Sequence, residues 1–366
     1  MPFADLYRRK RVLVTGHTGF KGSWLCEWLI RLGADVTGFG LPPPTAPALF
    51  EQLGLAGRLR HVIGDVRDLP LVMKVVDEAR PDFIFHLAAQ PLVRLSYAQP
   101  VETYAVNVMG TVNVLEAVRL THRPCAVVAI TTDKCYENRE WVHSYREEDA
   151  MGGYDPYSSS KGAAELAISA YRRSYFSAPD SPVNLASARA GNVIGGGDWA
   201  PDRIVPDCIR ALQRNEAIPV RNKAAMRPWQ HVLEPLSGYL WLGAGLSLRR
   251  PQSLALTSAF NFGPSLTSNR TVAELVQEVF RHWPGQCEDR SDPRAVHEAK
   301  LLNLATDKSF HLMGWKPVWD FTATIQNTVE WYCLVSADPA LAPSHTLEQI
   351  ECYENDARML NLTWSL

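Results

Sequence analysis

Long hydrophobic runs and an excess of charge of one sign are both missing from this sequence. The 366 residues carry 37 Lys and Arg against 39 Asp and Glu, which gives a formal net charge of −2. This balance gives no electrostatic reason to expect nucleic acid or an anionic membrane as a partner, so an anionic ligand must be met by local positive groups. The longest uncharged apolar stretch, 236–248, is too short to span a bilayer, and we expect no targeting signal.

Cysteine is sparse and follows no pattern. The seven cysteines are Cys26, Cys125, Cys135, Cys208, Cys287, Cys333 and Cys352. They show neither the paired spacing of a metal site nor a disulfide framework, so we expect no metal and a reduced, cytoplasmic location. With 46% hydrophobic and 21% charged residues, the chain has the composition of an ordinary globular protein with one large domain or two modest ones.

Strands and helices alternate through the first half of the chain. The runs RVLVT, ADVTGFG, HVIGD, DFIFHLA, CAVVAIT and VNLASARA predict strands, with helices between them near 69–79, around 100–120 and from YSSSK onward. This alternation predicts a Rossmann-type, doubly wound parallel α/β sheet. After Gly191 the pattern becomes irregular. We expect a Rossmann domain over 1–190 and a smaller mixed α/β substrate domain over 191–366, some of whose elements return to the first domain.

A glycine-rich turn follows the first strand. Gly16, Gly19 and Gly22 in TGHTGFKG have the spacing G-x-x-G-x-x-G, one residue longer than the common dinucleotide fingerprint. Glycines let the backbone approach a pyrophosphate at a helix N-terminus, where the amides and the helix dipole favour anions. The turn therefore predicts a dinucleotide site. Asp65, after a later strand, either accepts a hydrogen bond from an adenine amino group or caps the following helix.

A common feature of such sites is missing from the second strand. The segment TGFGL offers neither an Asp or Glu for the ribose hydroxyls nor an Arg for a 2′-phosphate. We predict NAD rather than NADP as the cofactor. Weaker binding than usual is a hypothesis that follows from the missing carboxylate.

Two groups of polar residues are candidates for catalysis. Thr132, Asp133 and Lys134 follow the strand CAVVAI, at the sheet edge that carries ligand-binding side chains, although Thr and Asp are also ordinary turn residues. Tyr157 and Lys161 lie four residues apart and share one face of a helix. Because a neighbouring cation lowers the pKa of a phenol, Tyr157 is a candidate general base for an alcohol. The alternative is an exposed Tyr and Lys on a solvated helix face.

Together these segments resemble the extended short-chain dehydrogenase/reductases, specifically the sugar-nucleotide 4,6-dehydratases. The resemblance runs over nearly the whole chain, through TGHTGFKG, HLAAQPLV, NVMGTVNVLEA, TTDKCY, YSSSK, RAGNVIGGGDW and RPWQHVLEPL. The enzymes acting on dTDP-glucose carry Thr-Asp-Glu where this chain has Thr132-Asp133-Lys134. In this difference and in the segment GNVIGGGDWAPDRIVPD, the sequence resembles the enzymes that act on CDP-glucose.

The resemblance implies a lyase of deoxysugar biosynthesis that converts CDP-glucose to its 4-keto-6-deoxy product. C4 is oxidised by NAD, water is lost across C5 and C6, and the hydride returns to C6. Tyr157 with Lys161 would be the alcohol base, Thr132 would bind the C4 oxygen, and Asp133 would protonate the leaving hydroxyl. A neutral Lys134 would take the C5 proton, with an ordered water or the phenolate as alternatives.

The resemblance also implies binding residues. Besides Tyr157 and Lys161, the cofactor would contact Gly16, Thr18, Gly19, Phe20, Lys21, Gly22, Asp65, Val66, Leu87, Ala88, Ala89 and Asn107. Arg203 and Arg227 would bind the substrate phosphates and Asn192 the diphospho-sugar, although a surface role is an open alternative for each arginine. His86 and His231 are interpreted as packed or locally hydrogen-bonded residues.

Other functions share parts of this pattern. A 4-epimerase or decarboxylase of the same family has the same Tyr-Lys pair and glycine turn, but epimerisation needs no acid at C6, so the Asp133-Lys134 pair favours dehydration. A non-catalytic NAD-binding protein is a further alternative that the catalytic residues argue against. Family members pair through helices corresponding to 100–120 and 154–176, so we expect a homodimer or homotetramer.

Overall fold

Seven parallel strands form the central sheet of the computed structural model, which describes residues 2–178, 180–248, 251–291 and 301–366. The strands of the described chain are Arg11–Thr15 (β1), Asp35–Gly40 (β2), Arg60–Ile63 (β3), Phe83–His86 (β4), Cys125–Ile130 (β5), Val183–Ala190 (β6), Val193–Ile194 (β7), Ile218–Val220 (β8), Met226–Pro228 (β9), Gln230–His231 (β10), Ala259–Phe262 (β11), Asn269–Thr271 (β12) and Cys287–Asp289 (β13).

The α-helices pack on both faces of the sheet and extend beyond its edge. They are Phe20–Arg31 (α1), Leu49–Gln52 (α2), Leu69–Ala79 (α3), Val93–Ala98 (α4), Pro100–Tyr104 (α5), Gly110–Thr121 (α6), Pro156–Tyr175 (α7), Ile204–Gln213 (α8), Leu233–Ser247 (α9), Val272–His282 (α10), Asp307–Met313 (α11), Phe321–Ala337 (α12) and Ala342–Met359 (α13).

The order of the strands defines where a ligand can bind. In space the sheet runs β11-β6-β5-β4-β1-β2-β3, so the chain builds the sheet outward in both directions from β1. Ligands of such sheets bind at the carboxyl ends of the strands, where the direction reverses. The predicted doubly wound parallel sheet is confirmed. β11 lies beyond residue 190 yet pairs with β6, as an element that returns to the first domain; the division into two domains stays a prediction.

The sheet separates two hydrophobic cores. In β1, Val12 and Val14 belong to the core that contains Trp24 of α1, whereas Leu13 belongs to the core that contains Val118 of α6. Successive side chains of a strand point to opposite faces, so a continuous apolar run is required where helices cover both faces. This burial explains why β1 and β5 are nearly continuous apolar runs without polar alternation.

The helical segment predicted around 100–120 is interrupted. A π-helical turn over Ala105–Met109 separates α5 from α6. Within it, the Asn107 amide oxygen accepts a hydrogen bond from Gln90 N (2.8 Å), and its nitrogen donates to Gln90 O (3.1 Å) and to Ser160 Oγ (2.9 Å). The irregular turn therefore holds the segment after β4 and α7 in fixed positions.

A buried carboxylate connects three parts of the chain. Glu234 of α9 is fully buried and accepts hydrogen bonds from Val318 N (3.0 Å), Trp319 N (2.7 Å) and the Tyr353 hydroxyl (2.7 Å). Burial raises the pKa of Glu234 to about 7, although these donors favour the charged form. The side chain thus ties α9 to the segment before α12 and to α13.

We expect Glu234→Gln to lower the free energy of unfolding by about 1–3 kcal/mol, because the amide nitrogen would face a backbone N–H and leave buried donors unpaired. The folded-state pKa of about 7 lies above the ordinary 4.5, so the carboxyl of the folded protein binds more protons than that of the unfolded chain in this interval. The wild-type protein should therefore lose stability as the pH rises from 4.5 to 7, and the variant should lack this dependence.

Urea unfolding at pH 5 and pH 8 measures both effects. Tyr353→Phe is the matched control, since it removes one donor to the same carboxylate and leaves the carboxylate in place. A Gln variant with wild-type stability and the wild-type pH dependence would contradict the prediction.

Candidate active site

The carboxyl edge of the sheet opens into a cleft of about 1800 Å³. The predicted site residues that line it are Gly16, Thr18, Gly19, Phe20, Lys21, Gly22, Asp65, Val66, Leu87, Ala88, Ala89, Thr132, Asp133, Lys134, Tyr157, Lys161, Asn192, Arg203 and Arg227. Asn107 is not among the lining residues. Its amide is buried and bonded to Gln90 and Ser160, so it supports the cleft wall through Gln90 instead of facing the cleft.

The glycine-rich turn lies between β1 and α1 and has no room for side chains at two positions. Gly16 has a φ of 75°, and a Cβ there would lie 2.7 Å from Ala88 N. A Cβ on Gly22 would lie 2.2 Å from Gly16 O. α1 begins at Phe20 without a side-chain cap, so its first amides have no partner from a capping residue. Such an N-terminus is suited to an anion like a pyrophosphate.

The imidazole of His17 packs against the middle of β2. A Cβ on Gly38 would lie only 2.2 Å from the nearest ring atom, whereas a Cβ on Gly40, which ends the strand and lines the cleft, would lie 3.5 Å from the ring. His17 Nε2 lies 2.6 Å from Nδ1 of His61. Burial lowers the pKa of His17 to about 4, so the ring is neutral near pH 7. The ring thus occupies the space into which a longer side chain at position 38 would extend.

Asp65 is engaged by a neighbouring arginine. It accepts hydrogen bonds from Arg67 N (2.8 Å) and from Arg67 Nη2 (2.6 Å), and the side-chain hydrogen bonds lower the pKa of Asp65. The capping alternative is wrong, because Asp68 caps α3 by accepting from Leu71 N. The contact of Asp65 with adenine stays a prediction, and Arg67 would compete for the same oxygens.

Tyr157 and Lys161 stand on the first turns of α7. Asp155 caps this helix by accepting from Ser158 N, and Tyr157 and Lys161 are 8% and 6% exposed, so the alternative of a solvated helix face is wrong. Lys161 Nζ donates to Ile130 O at 3.5 Å, which places the ammonium against the end of β5. Burial lowers the pKa of Lys161 to about 8.

The pKa of Tyr157 differs from the sequence-based expectation. Burial raises it to about 12, because the low-dielectric surroundings disfavour the phenolate. A hydrogen bond with Thr132 and the charge of Arg203 act in the opposite direction, and the charge of Asp133 adds to the increase. The predicted lowering by Lys161 is therefore not found; the ammonium is bonded to Ile130 O.

The strand-end residues form a short 3₁₀ turn over Asp133–Cys135. Thr132 caps it, since its Oγ1 accepts from Lys134 N (3.4 Å) and donates to Asp133 Oδ1 (2.9 Å). Asp133 is 2% exposed, and Lys134 Nζ lies 3.9 Å from its Oδ1. A Cβ on Gly191 would lie 2.9 Å from Asp133 Oδ2, so this glycine leaves room for the carboxylate. Thr132 and Asp133 therefore form a turn and also line the cleft, so these contacts do not separate a structural role from a catalytic one.

The predicted substrate residues lie on the far wall of the cleft. Arg203 precedes α8 and pairs with Asp198 at 2.7 Å, and its charge is close enough to lower the pKa of Tyr157. Arg227 lies in β9 and donates to Met226 O at 2.9 Å. Asn192 follows β6, and its backbone oxygen accepts from Gln230 N at 3.2 Å. All three predicted residues therefore face a common space with Tyr157.

The sequence analysis missed two residues that line the cleft and one buried residue behind it. Arg94 of α4 and Arg221 after β8 both pair with Asp202, at 3.6 and 2.7 Å, and so bridge the two walls of the cleft. Tyr239 accepts a hydrogen bond from Lys21 Nζ at 3.3 Å. No local signal marks these contacts, because the partners lie up to 218 residues apart and meet only in the folded chain.

The histidine interpretation is confirmed. His86 lies between Thr15 Oγ1 (2.7 Å) and Thr111 Oγ1 (3.0 Å), and His231 is fully buried between Trp24 and Trp319. Across the described parts of the chain, no helix combines the length and apolar character that a membrane span requires. The same residues contain no group of three or more His, Cys, Asp and Glu side chains suited to a metal ion.

Comparison with known proteins identifies the family. The sequence profile described as GDP-mannose 4,6-dehydratase matches residues 13–328. The CDP-glucose 4,6-dehydratase of Salmonella typhimurium is 48% identical over 332 residues, 90% of this chain and 92% of that protein. The solved structure of an epimerase from Methanothermobacter thermautotrophicus has a TM-score of 0.76 at 22% identity, covering 92% of this chain and 96% of the other.

A second solved structure contains both kinds of ligand. MoeE5 in complex with UDP-glucose and NAD has a TM-score of 0.73 at 25% identity and covers 89% of this chain and 99% of that chain. The profile spans most of the sequence, the Salmonella protein is similar over nearly its full length, and both structures share the fold. This chain therefore belongs to the GDP-mannose 4,6-dehydratase family.

Proposed function

We propose that this protein is a hydro-lyase that dehydrates CDP-glucose to CDP-4-dehydro-6-deoxyglucose with NAD as its cofactor. The observation that carries the proposal is the meeting of Tyr157, Thr132 and Asp133 beside the glycine-rich turn in one cleft. The 48% identity to a CDP-glucose 4,6-dehydratase supports the nucleotide and the reaction.

The residues present fit NAD. The turn between Gly16 and Gly22 is lined by backbone, and a Cβ at either glycine would fill it. Bound NAD would accept the hydride from C4 and later return it to C6, so that no net oxidation occurs. Because the end of β2 carries no carboxylate, we expect NAD to bind more weakly than at a site with the usual ribose contact.

The chain's own residues perform the proton transfers. Tyr157 takes the proton of the C4 hydroxyl, and Thr132, hydrogen-bonded to it, holds the C4 oxygen. The charge of Arg203 favours the phenolate. The ammonium of Lys161 and the cationic nicotinamide ring of bound NAD would act in the same direction, whereas the negative charge of the substrate would oppose it. The ketone at C4 acidifies C5–H, and Asp133 protonates the departing C6 hydroxyl.

The base for the C5 proton is Lys134 in this proposal. Its side chain is 29% exposed, and its Nζ lies 3.9 Å from Asp133 Oδ1, so the two groups lie side by side at the end of β5. In the reacting state Lys134 is neutral and Asp133 is protonated, so that Lys134 gains the C5 proton while Asp133 gives its proton to the leaving hydroxyl. An ordered water or the Tyr157 phenolate remain the alternatives. Arg203, Arg227 and Asn192 on the opposite wall bind the diphosphate and the sugar.

A 4-epimerase is the second candidate, since the fold is shared with an epimerase. Epimerisation requires the hydride to be removed and returned at C4 and needs no acid at C6. The burial of Asp133 within hydrogen-bonding distance of Thr132 favours dehydration, because it places next to the C4 site the carboxyl group that the proposed elimination requires.

The decisive experiment is to incubate the protein with NAD and separately with CDP-, dTDP-, UDP- and GDP-glucose. We expect a 4-keto-6-deoxy product, detected by its alkaline absorbance, from CDP-glucose above all. Absence of product from every substrate would overturn the dehydratase proposal, and a preference for another nucleotide would overturn its specificity. Formation of a C4 epimer would select the second candidate.

The cofactor is tested by titrating the protein with NAD and with NADP in parallel. Tighter binding of NADP than of NAD would overturn the proposal that NAD is the cofactor.

The assembly is proposed to be a homodimer or homotetramer in the cytoplasm. Large apolar side chains are exposed on the helices predicted to pair: Val101 (82%), Leu166 (62%) and Tyr175 (54%). A second copy of the same helices would cover them. Sedimentation of the wild-type protein tests this, and a monomer at assay concentration would contradict it.

The cysteines support the proposed location in the cytoplasm. All seven are free thiols, which fits a reduced compartment.

A further inference from the structure

A buried ion pair lies directly behind the catalytic residues. Glu165 follows Lys161 by one turn of α7, and its carboxylate accepts four hydrogen bonds: from Thr131 Oγ1 (2.5 Å), Ser187 Oγ (2.8 Å), Arg189 Nε (2.9 Å) and Arg189 Nη2 (2.9 Å). Both charged side chains are 4% exposed. The pair therefore links α7 to the end of β5 and to β6.

Arg189 continues the network to the far side of the catalytic turn. Its Nη1 donates to the hydroxyl of Tyr136 at 2.6 Å and to Glu147 O at 3.0 Å. The Tyr136 hydroxyl donates in turn to Asn261 Oδ1 of β11 at 2.7 Å. Tyr136 is fully buried, so this contact does not compete with solvent.

The two anchors flank the residues that carry the chemistry. Thr131 immediately precedes Thr132 and Asp133, and Tyr136 immediately follows the 3₁₀ turn. Both ends of this short segment are thus hydrogen-bonded to one ion pair, whose acidic member stands on the helix that carries Tyr157. Any displacement of the pair would move the segment relative to Tyr157.

We propose that Glu165 and Arg189 are positioning residues, which hold Thr132 and Asp133 in register with Tyr157. A buried ion pair contributes little net stability compared with apolar residues of similar size, so its presence here calls for another role. Misplacement of reacting groups by 1 Å can lower a rate by about 100-fold, which makes rigid support of the turn valuable. This inference rests on the proposed dehydratase function.

The test removes single hydroxyls from the network and leaves the ion pair intact. Thr131→Val and Tyr136→Phe each delete one hydrogen bond between the pair and an end of the catalytic segment. Ser187→Ala is the matched control: it deletes one hydroxyl donor to the same carboxylate, but Ser187 lies within β6 and does not touch the segment. The three variants are compared with the wild-type protein loaded with NAD and CDP-glucose.

We expect Thr131→Val and Tyr136→Phe to lower kcat by about 10- to 100-fold with KM little changed, because the reacting groups lose their mutual geometry. In single turnovers, reduced nicotinamide should persist longer than in the wild type, since Asp133 would no longer meet the C6 hydroxyl. Ser187→Ala should keep the wild-type kcat. Thermal unfolding should show comparable losses of stability in Thr131→Val and Ser187→Ala, which each lose one hydrogen bond, and a larger loss in Tyr136→Phe, which also loses the bond to Asn261. The comparison of Thr131→Val with Ser187→Ala therefore separates an effect on catalysis from an effect on stability.

Two outcomes would overturn the inference. If all three variants keep the wild-type kcat, or if Ser187→Ala loses as much kcat as the other two, the network is structural only. A wild-type protein that dehydrates no nucleotide sugar is a different result, because it overturns the proposed function before any variant is compared.

Discussion

Replacement of Tyr157 by Phe should lower the rate of C4 oxidation by about 10²- to 10⁴-fold, the usual contribution of a positioned acid or base. Phe keeps the ring and its packing in α7 and removes the oxygen that hydrogen-bonds with Thr132. The appearance of reduced nicotinamide in a single turnover measures the step directly. Because the side chain is buried and its ring is retained, the melting temperature and NAD binding should be nearly unchanged.

The raised pKa of Tyr157 adds a further check. Since the ordinary value of 10 rises to about 12, only a small fraction of the phenol is ionised at neutral pH. The wild-type oxidation rate should therefore increase with pH through the neutral range, whereas the residual rate of Tyr157→Phe should not. A variant that retained wild-type turnover would remove Tyr157 from the mechanism.

Asp133→Asn should block the reaction at a later step. The amide keeps the shape and the hydrogen bond from Thr132 but cannot donate a proton from a carboxyl, so elimination should stall after C4 oxidation. We expect reduced nicotinamide to accumulate and little dehydrated product to form. If Asp133 served only the turn, stability would fall by ~1 kcal/mol and all steps would slow in proportion.

A matched substitution separates these outcomes. Asp68→Asn changes an aspartate whose carboxylate accepts from Leu71 N and caps α3, and Asp68 does not line the cleft. It should show at most the small loss of stability and normal turnover. If Asp133→Asn dehydrated the substrate as fast as Asp68→Asn and no reduced nicotinamide accumulated, Asp133 would be a structural residue of the turn and not the acid.

The fold was predictable because its rules are local. β5 is an apolar run of the right length, and α1 follows a glycine turn, so both the elements and their parallel arrangement follow from the pattern along the chain. The return of β11 was harder to place. Its four residues pair with β6 about 70 positions earlier, and no property of the segment AFNF distinguishes an edge strand from an isolated one.

The sequence predicted which residues line the site, but it did not predict the pKa of Tyr157 or the contacts of Lys161. The spacing of Tyr157 and Lys161 fixed a shared helix face, yet it could not show that burial raises the pKa of the phenol or that Ile130 O holds the ammonium. The support behind the cleft was also hidden. Asn107 and Glu165 act through partners that only the folded chain brings near them.

The contact between His17 and β2 makes two distant positions depend on each other. Any Cβ at position 38 would lie 2.2 Å from the imidazole, so no larger residue fits there while the ring stays in place. A smaller residue at position 17 has to come first, and until it does the substitution at 38 is penalised. Such coupling between contacting residues makes the effects of mutations depend on their order. The residue at position 38 can therefore be enlarged after the residue at position 17 has been made smaller, whereas the opposite order is penalised at its first step.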